Sequence, residues 1–72
     1  MIQSEQEIKN RMRESQNDYI IRFRKSHPGN DWTDKEILIT QYGEDLITMK
    51  YCYNVPKNTA KKILSELEDE RT

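Results

Sequence analysis

Apolar side chains near the beginning of the chain recur at spacings of three and four residues, the period of one face of an α-helix. Ser4 and Glu7 have the spacing of a capping box, which begins a helix. Pro28 and Gly29 cannot continue a helix and favour a loop. We therefore predict a long helix over about residues 4–25, with one stripe made of Ile8, Met12, Ser15, Tyr19 and Phe23.

The middle of the chain alternates between apolar and polar positions instead. Counted at a period of two, Ile37 and Ile39 lie on one face of a hairpin that turns near Gly43. The same face then holds the second apolar run, which consists of Ile47, Met49, Tyr51, Tyr53 and Val55. Many of these residues are β-branched or aromatic, types that fit a pleated and half-buried surface. The pattern predicts a two-stranded antiparallel hairpin over about residues 36–54.

The same stretch also carries signals for helices. Thr33 and Glu36 form a second capping box, and Gly43 would be a suitable C-terminal cap for a helix that begins there. Asp45 would then cap a further helix over Leu46–Tyr53. The alternative prediction for this stretch is therefore two short helices.

The last element is a helix under either interpretation. Pro56 suits a first helical position, and four apolar residues follow at spacings of three and four, namely Ala60, Ile63, Leu64 and Leu67. We predict a helix over about residues 56–69 and a frayed tail over residues 70–72.

These elements predict one small α+β domain over residues 1–72, in the order helix, hairpin, helix (αββα). The alternative is an all-α helix-turn-helix bundle. The chain has 72 residues, of which 33% are hydrophobic and 35% are charged, so its core must be thin. Because such a small core supplies little stability, we expect dimerisation to be one way in which the chain gains more.

Residues 45–67 resemble a helix-turn-helix unit of bacterial and phage regulators. Asn54 and Val55 are similar to its turn, and the segment 58–64 is similar to its recognition helix. The segment 32–36, Trp-Thr-Asp-Lys-Glu, is similar to the opening of Myb-like and LuxR-type domains. The resemblance implies DNA contacts, with lysines on phosphates and Asn58 on a base edge; the implied residues are Lys57, Asn58, Lys61 and Lys62.

Lys50 departs from that resemblance. In helix-turn-helix units this position packs against the second helix and is usually alanine, and an unpaired ammonium group is costly to bury. In a hairpin, Lys50 instead points to solvent. For this reason the hairpin is our first prediction and the helical bundle is the alternative.

The net charge is only −1, which by itself does not predict a nucleic-acid partner. The charges are nevertheless distributed unevenly along the chain. We expect short connections to set the first and last helices antiparallel, which would gather opposite charges at opposite ends of the molecule and steer a partner. The predicted basic interface consists of Arg22, Arg24, Lys25, Lys57, Lys61 and Lys62. The predicted acidic interface consists of Glu44, Asp45, Glu66, Glu68, Asp69 and Glu70.

The residue types needed for catalysis are scarce. His27 and Cys52 are the only histidine and cysteine, so neither a nucleophile pair nor the usual zinc site is supported. The two glycines are isolated, which excludes glycine-rich phosphate-binding motifs. We expect a non-enzyme without catalytic, metal or cofactor residues. The lone cysteine and the absence of an apolar leader or membrane span predict a cytoplasmic protein without membrane contact.

Together these features predict a small regulator or inhibitor that docks on another protein, of a kind that phages and mobile elements encode. A second copy of the chain is one candidate partner. The alternative is a helix-turn-helix transcriptional regulator, and nucleic acid is a partner only in that case.

Overall fold

The structure, a computed structural model, describes residues 4–71. Within this range the chain forms four helices: α1 (Glu5–Ser26), α2 (Asp34–Ile39), α3 (Tyr42–Cys52) and α4 (Lys57–Glu70). None of the described residues lies in a β-strand. The predicted αββα fold is therefore wrong, and the all-α alternative fits. The predicted domain extends beyond this range at both ends, and Thr72 of the predicted frayed tail lies outside the described residues.

The hairpin prediction fails because its apolar face does not exist as one surface. Ile37 and Met49 are fully buried, whereas Ile39, Ile47 and Tyr51, which the hairpin would place beside them, are exposed. In a helix, residues two apart point in very different directions, so alternation along the sequence does not become a common face. The middle of the chain therefore buries one residue of each helical turn instead of every second residue.

Local caps set where the first two helices begin. The hydroxyl of Ser4 accepts a hydrogen bond from the amide of Glu7 at 3.1 Å at the start of α1. Thr33 and Glu36 make both bonds of a capping box at the start of α2. Gly43 lies in the first turn of α3, so it is neither the turn of a hairpin nor the cap of α2.

A tight turn over residues 53–56 joins α3 to α4. Asn54 adopts a left-handed conformation with φ of 55°, which asparagine tolerates better than most residues. The amide of Val55 donates a hydrogen bond to the carbonyl of Met49 at 3.0 Å, which ties the turn back onto α3. Pro56 then occupies the N-cap position of α4 with an extended backbone.

The core lies where the first half of α1 and the end of α3 meet α4, and its residues are Ile8, Met12, Met49, Val55, Ala60, Ile63, Leu64 and Leu67. Helix α2 packs against α1. Ile63 and Leu67 of α4 are almost completely buried, as the stripe in the sequence predicted. None of the described helices combines the length and the apolar character needed to cross a membrane.

Helices α1 and α4 run parallel to each other. Their ion pairs advance in step along both helices: Glu5 with Lys62 at 3.2 Å, Lys9 with Glu66 at 3.8 Å, and Arg13 with Glu70 at 2.9 Å. The predicted antiparallel arrangement is therefore wrong. That prediction assumed a hairpin between the helices, and the chain has the helices α2 and α3 in its place.

Candidate nucleic-acid interface

Helix α4 has two stripes with the same internal spacing. The buried stripe begins at Ala60 and continues at the third, fourth and seventh following positions. The exposed stripe begins at Asn58 and continues with the same spacing through Lys61, Lys62 and Ser65. Because the buried stripe holds α4 against α1 and α3, the exposed stripe points away from the body of the protein. Its amide, ammonium and hydroxyl groups can all donate hydrogen bonds.

Helices α3 and α4, with the turn between them, have the order and short connection of a helix-turn-helix unit. Met49 near the end of α3 and Val55 in the turn are both buried in the core. Leu46, one turn earlier in α3, packs on the same core. These contacts fix how α4 is presented, because they fill the angle between the two helices with apolar side chains.

Lys50 is exposed in this arrangement. Its Nζ atom lies 5.4 Å from the centre of the Tyr51 ring, a distance at which a cation is attracted to the ring face. Met49, the preceding residue, occupies the buried position instead. Lys50 therefore points to solvent although its segment is helical, so its charge does not argue against a helix here.

The lysines that begin α4 are largely free of acidic partners. Within residues 4–71, neither Lys57 nor Lys61 forms an ion pair, and both side chains are exposed. Lys62 contacts Glu5, and the hydrogen bond from that contact is the main cause of a raised pKa for Lys62. Because Lys62 and Glu5 are exposed, this pair is worth little and can exchange for another anion.

Most acidic side chains of α4 form ion pairs with residues of other helices. Glu66 and Glu70 contact Lys9, and Glu70 also forms a bidentate contact with Arg13. The hydrogen bond from Arg13 is the main cause of a lowered pKa for Glu70. Glu68 contacts Lys35 of α2 at 3.0 Å. The acidic half of α4 is thus used to attach the helix to α1 and α2.

The predicted acidic interface is not one surface. Glu66, Glu68 and Glu70 take part in these ion pairs, and Asp69 is exposed beside them on α4. Glu44 is exposed on α3, a different helix. Asp45 is buried and cannot belong to an exposed patch.

The predicted basic interface is divided into two groups. Arg22, Arg24 and Lys25 lie in the last turns of α1, and Arg24 forms an ion pair with Asp34 of α2 at 2.7 Å. Because α1 and α4 run parallel, the acidic beginning of α1, and not its basic end, lies beside the lysines of α4. Only Lys57, Lys61 and Lys62 therefore remain together.

A buried polar pair was not predicted. Gln16 of α1 and Asp45 of α3 are 5% and 4% exposed, and Gln16 hydrogen-bonds to the Asp45 carboxyl group. Burial is the main cause that raises the pKa of Asp45 to about 6, and the hydrogen bond from Gln16 opposes it. The Oε1 atom of Gln16 is buried without a hydrogen-bond partner in the described part of the chain. A sequence signal existed, since Gln16 continues the spacing of four from Ile8 through Met12.

The rest of the described chain holds no reactive cluster. His27 stacks on Phe23 with ring centres 4.3 Å apart, and Trp32 covers Phe23 at 5.6 Å, which gives these side chains a packing role. Between residues 4 and 71, no three His, Cys, Asp or Glu side chains come close enough to hold a metal ion. The chain matches no protein-family model, no curated protein and no solved structure.

Proposed function

We propose that this chain binds duplex DNA as a transcriptional regulator, with α4 as the helix that enters the major groove. The observation that carries the proposal is the exposed stripe at the beginning of α4. Asn58, Lys61 and Lys62 are exposed together, while three of the acids of the same helix form ion pairs with α1 and α2. A recognition helix contacts bases with its N-terminal residues, which is where this stripe lies.

Lys57 and three residues of the exposed stripe have a chemistry that suits DNA. Lys57 and Lys61 are exposed point charges without acidic partners in the described chain, and they suit phosphate oxygens. Asn58 carries a donor and an acceptor, the combination that pairs with the major-groove edge of adenine. Lys62 would exchange the carboxylate of Glu5 for a phosphate.

The charge of the whole chain predicts modest affinity. With a net charge of −1, long-range attraction to DNA is weak, and binding relies on local contacts. If Lys57, Lys61 and Lys62 each neutralise one phosphate, the logarithm of the association constant should fall with the logarithm of salt concentration with a slope of about −3.

Fluorescence anisotropy of a short, labelled duplex of random sequence tests the proposal between about 50 and 200 mM salt. We expect salt-dependent binding by the wild type. The double substitution of Lys57→Gln and Lys61→Gln should remove most of it. Its matched control is Arg22→Gln with Lys25→Gln, which changes the net charge equally at the far end of α1 and should retain binding. Equal losses in both variants, or no binding at the lowest salt, would contradict the proposal.

A second candidate function is a regulator or inhibitor that docks on another protein. Ile39 at the end of α2 is 70% exposed, and Tyr42 at the start of α3 is also exposed. With Leu38, they line a cavity that residues of α1 and α4 also border. Contiguous exposed apolar surface of this kind usually marks a contact site. The anisotropy experiment separates the two candidates, because a protein that only docks on another protein would leave the duplex unbound.

A further inference from the structure

A cavity of about 50 Å³ is lined by residues of all four helices. Three of these residues are buried, namely Gln16 of α1, Asp45 of α3 and Leu64 of α4. Ile39 and Tyr42 line the cavity as well, and both side chains are exposed. Two polar groups removed from solvent thus lie next to apolar surface that solvent reaches. Sites that bind small organic molecules usually combine a few convergent polar groups with an apolar lining in this way.

Both buried polar residues can accept further hydrogen bonds. Gln16 hydrogen-bonds to the Asp45 carboxyl group through its side-chain amide. The Oε1 atom of Gln16 has no hydrogen-bond partner among residues 4–71. A carboxylate offers about four lone-pair positions, so the bond from Gln16 leaves Asp45 able to accept more. Because the unused positions are all acceptors, a group that binds between these two residues has to donate hydrogen bonds.

The charges around the cavity favour a cation. Lys35, which lines it, contacts Glu68 at 3.0 Å. Arg71 lines it as well and contacts Asp34 at 3.8 Å. Asp45, in contrast, forms no ion pair within residues 4–71. A buried charge is costly unless it is paired, so the ionised Asp45 carboxylate is stabilised by a positive ligand and destabilised by a negative one.

We propose that this cavity binds a small aliphatic amine, whose ammonium group hydrogen-bonds to Asp45 and to the Oε1 atom of Gln16. A primary ammonium group carries three donors, so it can serve both acceptors at once. A water molecule needs about 10–15 Å³ of such space, so a cavity of about 50 Å³ admits the ammonium group and the first few carbon atoms. The rest of the alkyl chain then packs on Ile39 and Tyr42. Binding of the amine does not depend on DNA.

Titration with n-butylamine in the absence of DNA, followed by two-dimensional proton–nitrogen NMR at about pH 7.5, tests the site. The amine is present as n-butylammonium at this pH. We expect saturable shifts of the Gln16 side-chain amide and of the backbone amides near Asp45, with a Kd on the order of 1 mM. The compounds n-butanol and n-butyrate have the same length without the positive charge. At equal ionic strength they should shift these signals little.

Two substitutions test the named acceptors. Asp45→Asn removes the negative charge and keeps the shape of the side chain, so it should weaken binding of n-butylammonium at least tenfold. Its matched control is Asp18→Asn, which removes the same charge from an exposed position on α1 and should retain binding. Gln16→Met removes the Oε1 acceptor and should weaken binding severalfold.

The pH dependence of binding provides a second measurement on the wild type. Burial raises the pKa of Asp45 to about 6, and an ammonium ligand needs the ionised carboxylate. At about pH 5 roughly a tenth of Asp45 is ionised, so the affinity should be about tenfold lower than at about pH 7.5. The other charged residues around Asp45 are Lys35, Glu44, Glu68 and Arg71. They are also present in Asp45→Asn, and the weak binding that remains in this variant should lose the pH dependence.

An ammonium group of this kind occurs in free amines and at the end of a lysine side chain of a partner protein. A lysine with both backbone ends blocked carries the same group on a bulkier body, so it distinguishes the two sources. Equal binding of the blocked lysine and n-butylammonium would show that the cavity accepts a partner's lysine. Binding of n-butylammonium alone would assign the cavity to a free amine.

Four results would overturn the proposal. The first two are the absence of saturable shifts at tens of millimolar amine and equal shifts with n-butanol. The others are equal losses of binding in Asp45→Asn and Asp18→Asn and an affinity that does not change between the two pH values. Because no DNA is present, none of these outcomes depends on the proposed function.

Discussion

The side chain of Gln16 on α1 hydrogen-bonds to the carboxyl group of Asp45 on α3, and these are the two buried polar side chains among residues 4–71. The contact joins the long N-terminal helix α1 to α3. Because the Oε1 atom of Gln16 has no hydrogen-bond partner in the described chain, a protonated Asp45 would supply the donor that it lacks.

This pair predicts how stability depends on pH. Burial raises the pKa of Asp45 from 3.8 to about 6, so the folded state favours the protonated carboxyl group. The resulting stabilisation is complete below pH 3.8 and is lost as the pH rises through about 6. A difference of this size corresponds to about 3 kcal/mol at most.

The substitution Asp45→Asn tests this prediction, because it removes the titrating group and keeps its shape. We expect urea unfolding to show higher stability for the variant than for the wild type at about pH 7.5, with the difference shrinking or reversing near pH 5. Asp18→Asn is the matched control, since this carboxylate is exposed on α1 and the substitution should leave the pH profile almost unchanged. An unaltered profile in Asp45→Asn would show that Asp45 does not titrate as described.

The contact between Glu5 and Lys62 predicts a variant that gains affinity for DNA. Glu5→Gln should release Lys62 and remove an acid next to the exposed stripe of α4, so anisotropy should show tighter binding at an unchanged salt slope of about −3. Glu7→Gln is the control, because it removes the same charge from the same turn of α1 without an ion pair to Lys62. Equal gains in both variants would mean that net charge alone is responsible.

The turn between α3 and α4 predicts a difference between two substitutions of Asn54. Its φ of 55° suits glycine but strains a β-branched residue. We expect Asn54→Val to lower the free energy of unfolding by about 1–2 kcal/mol and to weaken DNA binding through α4. Asn54→Gly serves as the control and should stay close to the wild type. Similar stability of both variants would show that the left-handed conformation is not required.

Adjacent residues of α3 predict opposite responses to alanine. Met49 is fully buried, so Met49→Ala should cost about 2–5 kcal/mol, a large part of the stability of so small a domain. Lys50 is exposed, so Lys50→Ala should change the free energy of unfolding by less than about 0.5 kcal/mol. Thermal and urea unfolding at low protein concentration measure both. A stabilisation in Lys50→Ala of the size expected for a buried lysine would contradict the register of α3.

Local signals in the sequence predicted the features that depend on interactions within one or two turns. Ser4 and Glu7 placed the beginning of α1, and Thr33 and Glu36 placed the beginning of α2, because a capping box closes over only three residues. The apolar stripe that includes Ile63 predicted the buried face of α4, since a regular helix repeats its direction at fixed spacings.

Contacts between helices set the conformation of residues 36–54 and the orientation of the outer helices. Ile47, Met49 and Tyr51 alternate like a strand, but the core accepts only Met49 and leaves the other two exposed. The period of a sequence pattern shows which residues could share one face of a helix or strand. Which face is buried depends on the surface that the rest of the fold offers it. The same packing made α4 parallel to α1 instead of antiparallel, and it placed Lys62 beside Glu5. Packing between helices therefore decided which charged residues lie together, because residues distant in the sequence become neighbours only where α3 and α4 pack against α1.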